Sequence, residues 1–353
     1  MAAAGPTEYQ MINQRTWPYK SDSGPRFTAF SFMSKTPPEN HNPRKTNPTN
    51  HNLQFNPISS SNQEYSSNNF SHLPNDVLLK IAATFTLPNL RAASQVCKSW
   101  RDALRPLREA MLFLKYGKNF KHGRGGVEVN LNKALDSFLK GAARGSTLAM
   151  VDAGLLYWEM GRKEQGVAFY RKAAVLGDPA GQCNLGISLL QANPPDIEEA
   201  IKWLYKASIA GYVRAQYKLA LCLHKGRGPS RDLKEAARWY LKAAEGGYVC
   251  AMYNTAICYS VGEGLSRSHK LARKWMKRAA DRGHSKAQFE HGLSLFSEGN
   301  MMKAVVYLEL ATRAGETAAD HVKYVILQQI STSSRDRAMF FADNWHPLPS
   351  SSC

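Results

Sequence analysis

Four features of this sequence could serve catalysis or the binding of metals and phosphates: its cysteines, its histidines, pairs of carboxylates, and glycine-rich turns. Six cysteines and ten histidines occur among the 353 residues. There is no C-x-x-C pair and no H-E-x-x-H segment, so the spacing supports no metal site. No Ser/His/Asp order or carboxylate pair stands out from chance, which argues against an enzyme. We therefore expect no catalytic residue, cofactor or metal, and reduced, buried thiols.

Two glycine pairs, Gly226 with Gly228 and Gly262 with Gly264, resemble phosphate-binding loops only superficially. No strand pattern precedes either pair and no G-K-[ST] follows, both of which a phosphate loop requires. We interpret both pairs as turns between helices.

The overall composition limits the class of protein. A chain of 353 residues is long enough for two domains plus tails. Its formal charge of +18, from 46 Lys and Arg against 28 Asp and Glu, favours acidic partners. No apolar run approaches the roughly 18 residues of a bilayer span, and the N-terminus lacks the apolar core of a secretory signal. We expect a cytoplasmic or nuclear protein, or one found in both, with no membrane partner.

The two ends of the chain differ in composition from its middle. Residues 1–69 are rich in Asn, Ser and Pro and almost lack aliphatic side chains, so we expect a disordered arm. Residues 331–353 are expected to form a C-terminal tail, in which AMFFADNW is a candidate docking patch.

Helical periodicity begins at residue 70, in the run FSHLPNDVLLKIAATFTLPNLRAASQVCKSWRDAL. The first pattern starts at Pro74, which suits the first turn of a helix, and is expected to end at Leu87–Pro88. A second pattern extends from Leu90 to Leu104. Two short helices of this kind expose more apolar surface than about 35 residues can bury alone, which indicates a face for docking another protein.

This run resembles an F-box, by its L-P-x-D-V-L start, its central L-P and its closing V-C-K-S-W-R. Ala82 departs from the family, which more often has a larger aliphatic residue there. The resemblance implies binding to the Skp adaptor of Skp–cullin–F-box (SCF) ubiquitin ligases, and through the adaptor to a cullin. The residues it implies as adaptor-facing are Leu73, Pro74, Val77, Leu78, Ile81, Val96, Cys97 and Trp100. The alternative is that several of these residues only hold the small module together.

Residues 91–124 contain nine bases and two acids. They could form a solvated helix face between two domains, an attraction for an acidic protein surface, or a nucleic-acid site. The stretch lacks interleaved aromatics and a recognised nucleic-acid fold, so we favour a protein context over nucleic acid.

Between residues 127 and 330 the sequence repeats with spacings of 32 to 36 residues, a period typical of a helical solenoid. Each unit has a glycine that we expect to end its first helix, with a small residue four positions before it and another four positions after it. Five of the six units also have Ala eleven positions before the glycine, and five have Gly or Ala nine positions after it. Small residues let helix backbones approach closely. In five of the six units a base lies five positions before the glycine, and in five an aromatic lies eight before it. We interpret the aromatic position as core packing rather than a ligand cage. The six glycines are Gly145, Gly177, Gly211, Gly247, Gly283 and Gly315.

The units KEAARWYLKAAEGGYVCAMYNTAICYSVGEG and SHKLARKWMKRAADRGHSKAQFEHG resemble Sel1-like repeats, relatives of the tetratricopeptide repeat. Together with the F-box-like run, they resemble plant F-box proteins with Sel1-like repeats. The resemblance implies a protein-binding scaffold without catalytic residues. We therefore expect a concave repeat face that presents a protein substrate for ubiquitin transfer by other subunits. The alternative is a repeat-based interaction scaffold with no ligase role.

The predicted fold is all-α, with a small F-box module followed by an α-solenoid of about six units. The predicted boundaries are an arm at 1–69, the F-box-like module at 70–110, a basic linker at 111–126, repeats at 127–330 and a tail at 331–353.

Overall fold

The computed structural model describes residues 73–82, 85–228 and 230–349. The N-terminal arm expected at 1–69 lies outside these residues. The described chain is helical throughout its ordered elements, with no β-strand, and this confirms the all-α prediction. It divides into two compact units between Leu112 and Phe113. No helix in the described part is both long enough and apolar enough to cross a bilayer.

The first unit contains three short helices, α1 (Asn75–Ala82), α2 (Leu87–Ala93) and α3 (Lys98–Ala103), and α1 packs against α3. Pro88 lies in the first turn of α2, where a missing N–H costs nothing. The expectation that Leu87–Pro88 would end the first helix is therefore wrong, because this pair begins the second helix.

The apolar pattern from Leu90 to Leu104 forms two helices rather than one. Ser94 ends α2, and its hydroxyl donates to the Leu90 carbonyl oxygen at 2.7 Å. Cys97 then adopts an extended backbone and its sulfur accepts from the Trp100 N–H at 3.4 Å, which caps the N-terminus of α3. The break between α2 and α3 is made by side chains that cap the helix ends. The spacing of apolar residues carries no information about such caps.

Helix α4 (Arg105–His122) includes most of the segment expected to be a linker, so residues 111–122 are helical. The boundary between the two compact units falls within this helix.

Six helix pairs follow in the second unit. The pairs are α5 (Leu131–Ala143) with α6 (Thr147–Glu159), α7 (Lys163–Val175) with α8 (Pro179–Gln191), α9 (Ile197–Ile209) with α10 (Val213–Lys225), α11 (Leu233–Glu245) with α12 (Val249–Val261), α13 (His269–Ala280) with α14 (Ser285–Ser297), and α15 (Met301–Arg313) with α16 (Thr317–Gln329). Each second helix packs extensively against the first helix of the next pair, so neighbouring pairs join into one stack.

The glycine between the helices of each pair has a left-handed backbone, with φ between +82° and +91°. At the first of these turns Gly145 N–H donates to the Ala142 oxygen at 3.0 Å, and Ser146 N–H donates to the Gly141 oxygen at 3.2 Å. These bonds satisfy the last carbonyl groups of the helix at a turn that L side chains resist. The predicted helix-ending glycines are confirmed. The glycine pairs at 226–228 and 262–264 also have positive φ and lie in turns, as expected.

The small residues predicted at fixed repeat positions are buried. They are Ala134, Ala200, Ala236, Ala272 and Ala304; Gly141, Ala173, Ala207, Ala243, Ala279 and Ala311; Ala149, Gly181, Ala215, Ala251, Ala287 and Ala319; and Gly154, Gly186, Ala220, Ala256 and Gly292. At several of these glycines even a single added methyl group would clash with the neighbouring helix. A Cβ on Gly186 would lie 2.8 Å from Leu204 Cγ and 3.0 Å from the Ala200 oxygen. The aliphatic and aromatic side chains of one helix therefore occupy the space that the missing Cβ leaves on its neighbour.

The segment expected as a tail contains helix α17 (Thr332–Asp343), which packs back on α15. Ala338 is fully buried there, and Arg313 pairs with Asp343 at 2.6 Å. Beyond α17 the chain crosses to the previous repeat, where Leu348 N–H donates to the Asp281 oxygen at 3.0 Å. The C-terminal segment therefore contacts two of the repeats.

Replacing Gly154 by Ala tests the close approach of α6 and α7. The new methyl would lie 2.5 Å from the Tyr170 ring and 3.1 Å from the Gly166 oxygen, and Tyr170 is fully buried and cannot move aside. We expect the unfolding free energy to fall by about 1–3 kcal/mol, measured by denaturant titration. Ala168→Ser on the exposed face of α7 is the control. Equal stability of the two variants would contradict the packing argument.

A second prediction concerns His284, which caps α14. Its Nδ1 accepts from the Ala287 N–H at 3.2 Å and its ring stacks on Tyr253 with centroids 4.6 Å apart. Burial lowers the pKa of His284 to about 4. In the unfolded chain the pKa of this imidazole is about 6.5, so the unfolded state takes up the proton first as the pH falls. The stabilisation is complete above about pH 6.5 and is lost as the pH falls towards 4.

We expect the wild type to lose about 3 kcal/mol more than His284→Asn between pH 7 and pH 4, because the Asn amide oxygen caps α14 without titrating. Denaturant unfolding of both proteins at the two pH values measures this difference. Parallel acid losses in the two proteins would show that His284 does not cause the effect.

Candidate protein-binding surfaces

The first candidate surface belongs to the F-box-like module, which has a small core of its own. Leu78, Ala82, Leu90 and Leu104 are its fully buried residues, and Leu73 and Trp100 pack partly against them. The small side chain of Ala82 fits inside this core at 1% exposure. This core holds the three short helices together. Because its residues are buried, they are not themselves available to contact a partner.

The eight residues expected to face an adaptor divide into an inner and an outer group. Leu78 is 1% exposed and belongs to the core, so it supports the surface from behind instead of forming it. Val77 and Ile81 are 38% and 49% exposed and lie four residues apart, on one face of α1. Val96, in the turn before α3, is 61% exposed.

Of the remaining four residues, one is exposed and three are half-buried. Pro74 is exposed, and its carbonyl oxygen accepts from the Leu78 N–H at 3.0 Å. Leu73 and Trp100 are half-buried against the core, and Cys97 is a half-buried helix cap. An adaptor-facing role for the eight residues stays a prediction, and the structure leaves Val77, Ile81 and Val96 as the large apolar members that are exposed.

The second candidate surface is formed by the first helices of the repeats. On four of these helices a base lies over the ring of an aromatic residue three positions earlier, and we call this set the cation–π ladder. Its members are Lys172 over Phe169 at 5.1 Å, Lys206 over Trp203 at 4.3 Å, Lys242 over Trp239 at 4.4 Å and Arg278 over Trp275 at 4.7 Å. The aromatics contact the hydrophobic cores, so the interpretation of these rings as core packing is confirmed.

Carboxylates fix the other edge of two of these rings. Trp203 Nε1 donates to Glu199 at 3.1 Å, and Trp239 Nε1 donates to Glu235 at 3.2 Å. Glu199 also receives two hydrogen bonds from Arg171 of the preceding repeat, at 2.6 and 3.2 Å. The Arg171 bond is the main cause that lowers the pKa of Glu199. Each ring is therefore held from both sides before any partner arrives.

The basic stretch at 91–124 contributes in part to internal pairing. Lys121 donates to Glu159 at 2.8 Å, and Lys118 lies 3.7 Å from Asp152, where both bases connect α4 to α6. Asp152 is almost fully buried, and desolvation raises its pKa despite the nearby lysines. These contacts give the two lysines a structural role, while the acidic-surface and nucleic-acid alternatives stay untested.

The cysteine thiols show no sign of activation. Burial raises the pKa of Cys183 and of Cys258 to about 11, so both stay protonated at neutral pH. Cys97, Cys183, Cys222 and Cys258 are free thiols. Across the described ranges, no three His, Cys, Asp or Glu side chains group so as to hold a metal ion.

Comparison with known proteins identifies both regions. The F-box-like family model matches residues 70–107. The Sel1 repeat model matches residues 114–146, 179–212, 213–248, 251–284 and 285–316. An F-box protein of Arabidopsis thaliana is 59% identical over 96% of this chain and 99% of its own length. A Sel1 repeat protein of Oxalobacter formigenes superposes with a TM-score of 0.54 at 23% identity, over 65% of this chain and all of that one, which supports the fold.

The division of the module into core and surface predicts different effects for neighbouring residues. We expect Leu78→Ala to lower the unfolding free energy of the module by about 2–4 kcal/mol, because it leaves a cavity in a fully buried site. The matched variant Ile81→Ala removes a half-exposed side chain and should cost much less. Hydrogen exchange of the α1–α3 amides measures both effects. A cost for Ile81→Ala equal to that for Leu78→Ala would contradict the assignment.

Proposed function

Because this chain belongs to the F-box proteins that carry Sel1 repeats, we propose that it is the substrate-recognition subunit of an SCF-type ubiquitin ligase. In this role the F-box module binds the Skp-type adaptor, and through it a cullin, while the repeats bind a protein substrate. The protein itself is non-catalytic and acts in the cytoplasm, the nucleus or both.

The observation that carries the proposal is the exposed apolar set on the F-box module. Val77, Ile81 and Val96 are well exposed although the module has a complete core of its own. Covering such side chains in an interface gains about 25 cal/mol for each Å² of apolar surface removed from water. A module that keeps these side chains outside its core is suited to docking a partner with a matching apolar face.

The mechanism that follows is one of proximity. A receptor that holds adaptor and substrate together raises the effective concentration of substrate lysines near the ubiquitin carrier. No bond is made or broken by this chain. The bases of the cation–π ladder support the second half of the proposal, because they offer charges already fixed in place for a protein partner.

The proposal is tested by titrating purified full-length protein with purified Skp-type adaptor. We expect the double variant Ile81→Asp and Val96→Asp to lose binding by at least about 100-fold, since buried apolar anchors dominate interface energy and a buried unpaired carboxylate is costly. The matched control is Val175→Asp with Ile209→Asp, two exposed apolar residues of the repeats that should leave adaptor binding unchanged.

Two outcomes would contradict the ligase role. One is no detectable adaptor binding by the wild-type protein. The other is affinity purification from cells that recovers repeat-dependent partners but no cullin. Either result would favour the alternative of a repeat-based scaffold.

A further inference from the structure

Two adjoining grooves lie on the repeats at α11 and α13. The first has a volume of about 570 Å³ and is formed by α11, α12 and α13, and the second, of about 500 Å³, lies along α11. They share Leu241 and Glu245 as lining residues, so the two grooves are adjacent, and we call them together the depression. Both contain a step of the cation–π ladder, Arg278 over Trp275 in the first groove and Lys242 over Trp239 in the second.

The charge of this depression is positive. Its lining contains six bases, Lys234, Arg238, Lys242, Lys274, Arg278 and Arg282, against three acids, Asp232, Glu235 and Glu245. Two of these acids are already engaged within the fold. Asp232 caps α11 by accepting from the Glu235 N–H at 2.8 Å, and Glu235 accepts from the Trp239 indole at 3.2 Å. The bases therefore exceed the acids that are open to a partner.

Arginine donors at one end of the depression are only partly used. Arg282 Nη1 donates to the backbone carbonyl oxygen of Arg278 at 3.2 Å, which uses one donor of the Arg282 guanidinium within the fold. Arg282 Nε is buried and has no hydrogen-bond partner among the described residues. A carboxylate accepts charge-assisted hydrogen bonds from a guanidinium, often two at once.

The floor of the first groove is apolar. Met252 and Trp275 are buried there, and Leu271 at its edge is 36% exposed. A ligand that matched only the charge of the groove would leave these apolar side chains in contact with water. The depression therefore fits an extended peptide in which acidic and apolar residues alternate, because successive side chains of an extended chain point to opposite sides.

We propose that these grooves bind an extended acidic segment of a protein, with carboxylates at the two ladder steps and an apolar side chain on the floor at Leu271 and Trp275. Glu245, at the junction of the grooves, argues against nucleic acid, because a continuous phosphate backbone would pass this carboxylate. The N-terminal arm of the chain itself fits poorly, since residues 1–72 contain six bases and four acids. The inference rests on the proposed function, in which the repeats bind a protein substrate.

The test is fluorescence anisotropy with full-length protein and a labelled ten-residue peptide of Asp, Glu and Leu. We expect saturable binding, and about ten-fold weaker binding for Lys274→Glu combined with Arg278→Glu, because each reversal replaces a charge-assisted contact by repulsion. Lys303→Glu combined with Arg337→Glu is the matched control, a double charge reversal at two exposed bases that lie outside both the grooves and the cation–π ladder. This control should bind the peptide like the wild type, and thermal unfolding verifies that both variants fold.

Three results would overturn the inference. They are no binding of the acidic peptide, equal binding of a peptide with Asn and Gln in place of the acids, and stronger competition by single-stranded RNA than by unlabelled peptide. Leu271→Ala, at the edge of the floor, should weaken the Leu-containing peptide but not one with Ser in place of Leu. Equal effects on both peptides would contradict the apolar contact.

The experiment separates this inference from the ligase proposal. The Ile81→Asp and Val96→Asp double variant should bind the acidic peptide like the wild type, because its changes lie in the F-box module. Loss of adaptor binding with peptide binding intact would leave the groove standing alone. Adaptor binding without peptide binding would leave the ligase proposal standing and remove the groove.

Discussion

The close approach of helix backbones between successive repeats is the constraint on which the repeat array depends. Gly154 faces Gly166 so closely that a Cβ on Gly166 would lie 2.8 Å from the Gly154 oxygen. At this distance each pair can bury its apolar surface only by stacking on its neighbours, which is why the array is stable as a stack and not as single units. The same small residues leave room for one large ring per repeat, such as Tyr170 or Trp239, to complete the core.

The outer surface of the array follows from this inner constraint. Because the rings at the Trp203 and Trp239 positions pack inwards, their edges and faces are fixed, and residues three and four positions away contact them. The lysine of the next turn covers the ring face and the glutamate of the previous turn accepts the indole N–H. Packing that is required for stability therefore also determines where the surface charges lie, which links the core of the array to its ability to bind.

Much of this architecture was predictable from sequence, because it is periodic. The glycines at 145, 177, 211, 247, 283 and 315 mark the turns, since only a left-handed backbone closes each helix there. In four repeats the base and the aromatic were both visible, and their three-residue spacing would have revealed the cation–π ladder. The bridge from Arg171 to Glu199 was not predictable, because it joins residues 28 positions apart that meet only after stacking. In the F-box module the cap made by Cys97 was also missed, since a cysteine sulfur is an uncommon helix cap.

The return of the C-terminal segment gives the array a mechanical property. A linear stack that is pulled from its end loses its helices one after another, because the terminal unit has a single neighbour. Here the ion pair of Arg313 with Asp343 and the bond from Leu348 to Asp281 fasten the end of the chain to α15 and to the turn after α13. A force applied to the C-terminus would have to break these two contacts before α16 could unfold. Mechanical unfolding from this end would therefore involve the last two repeats together.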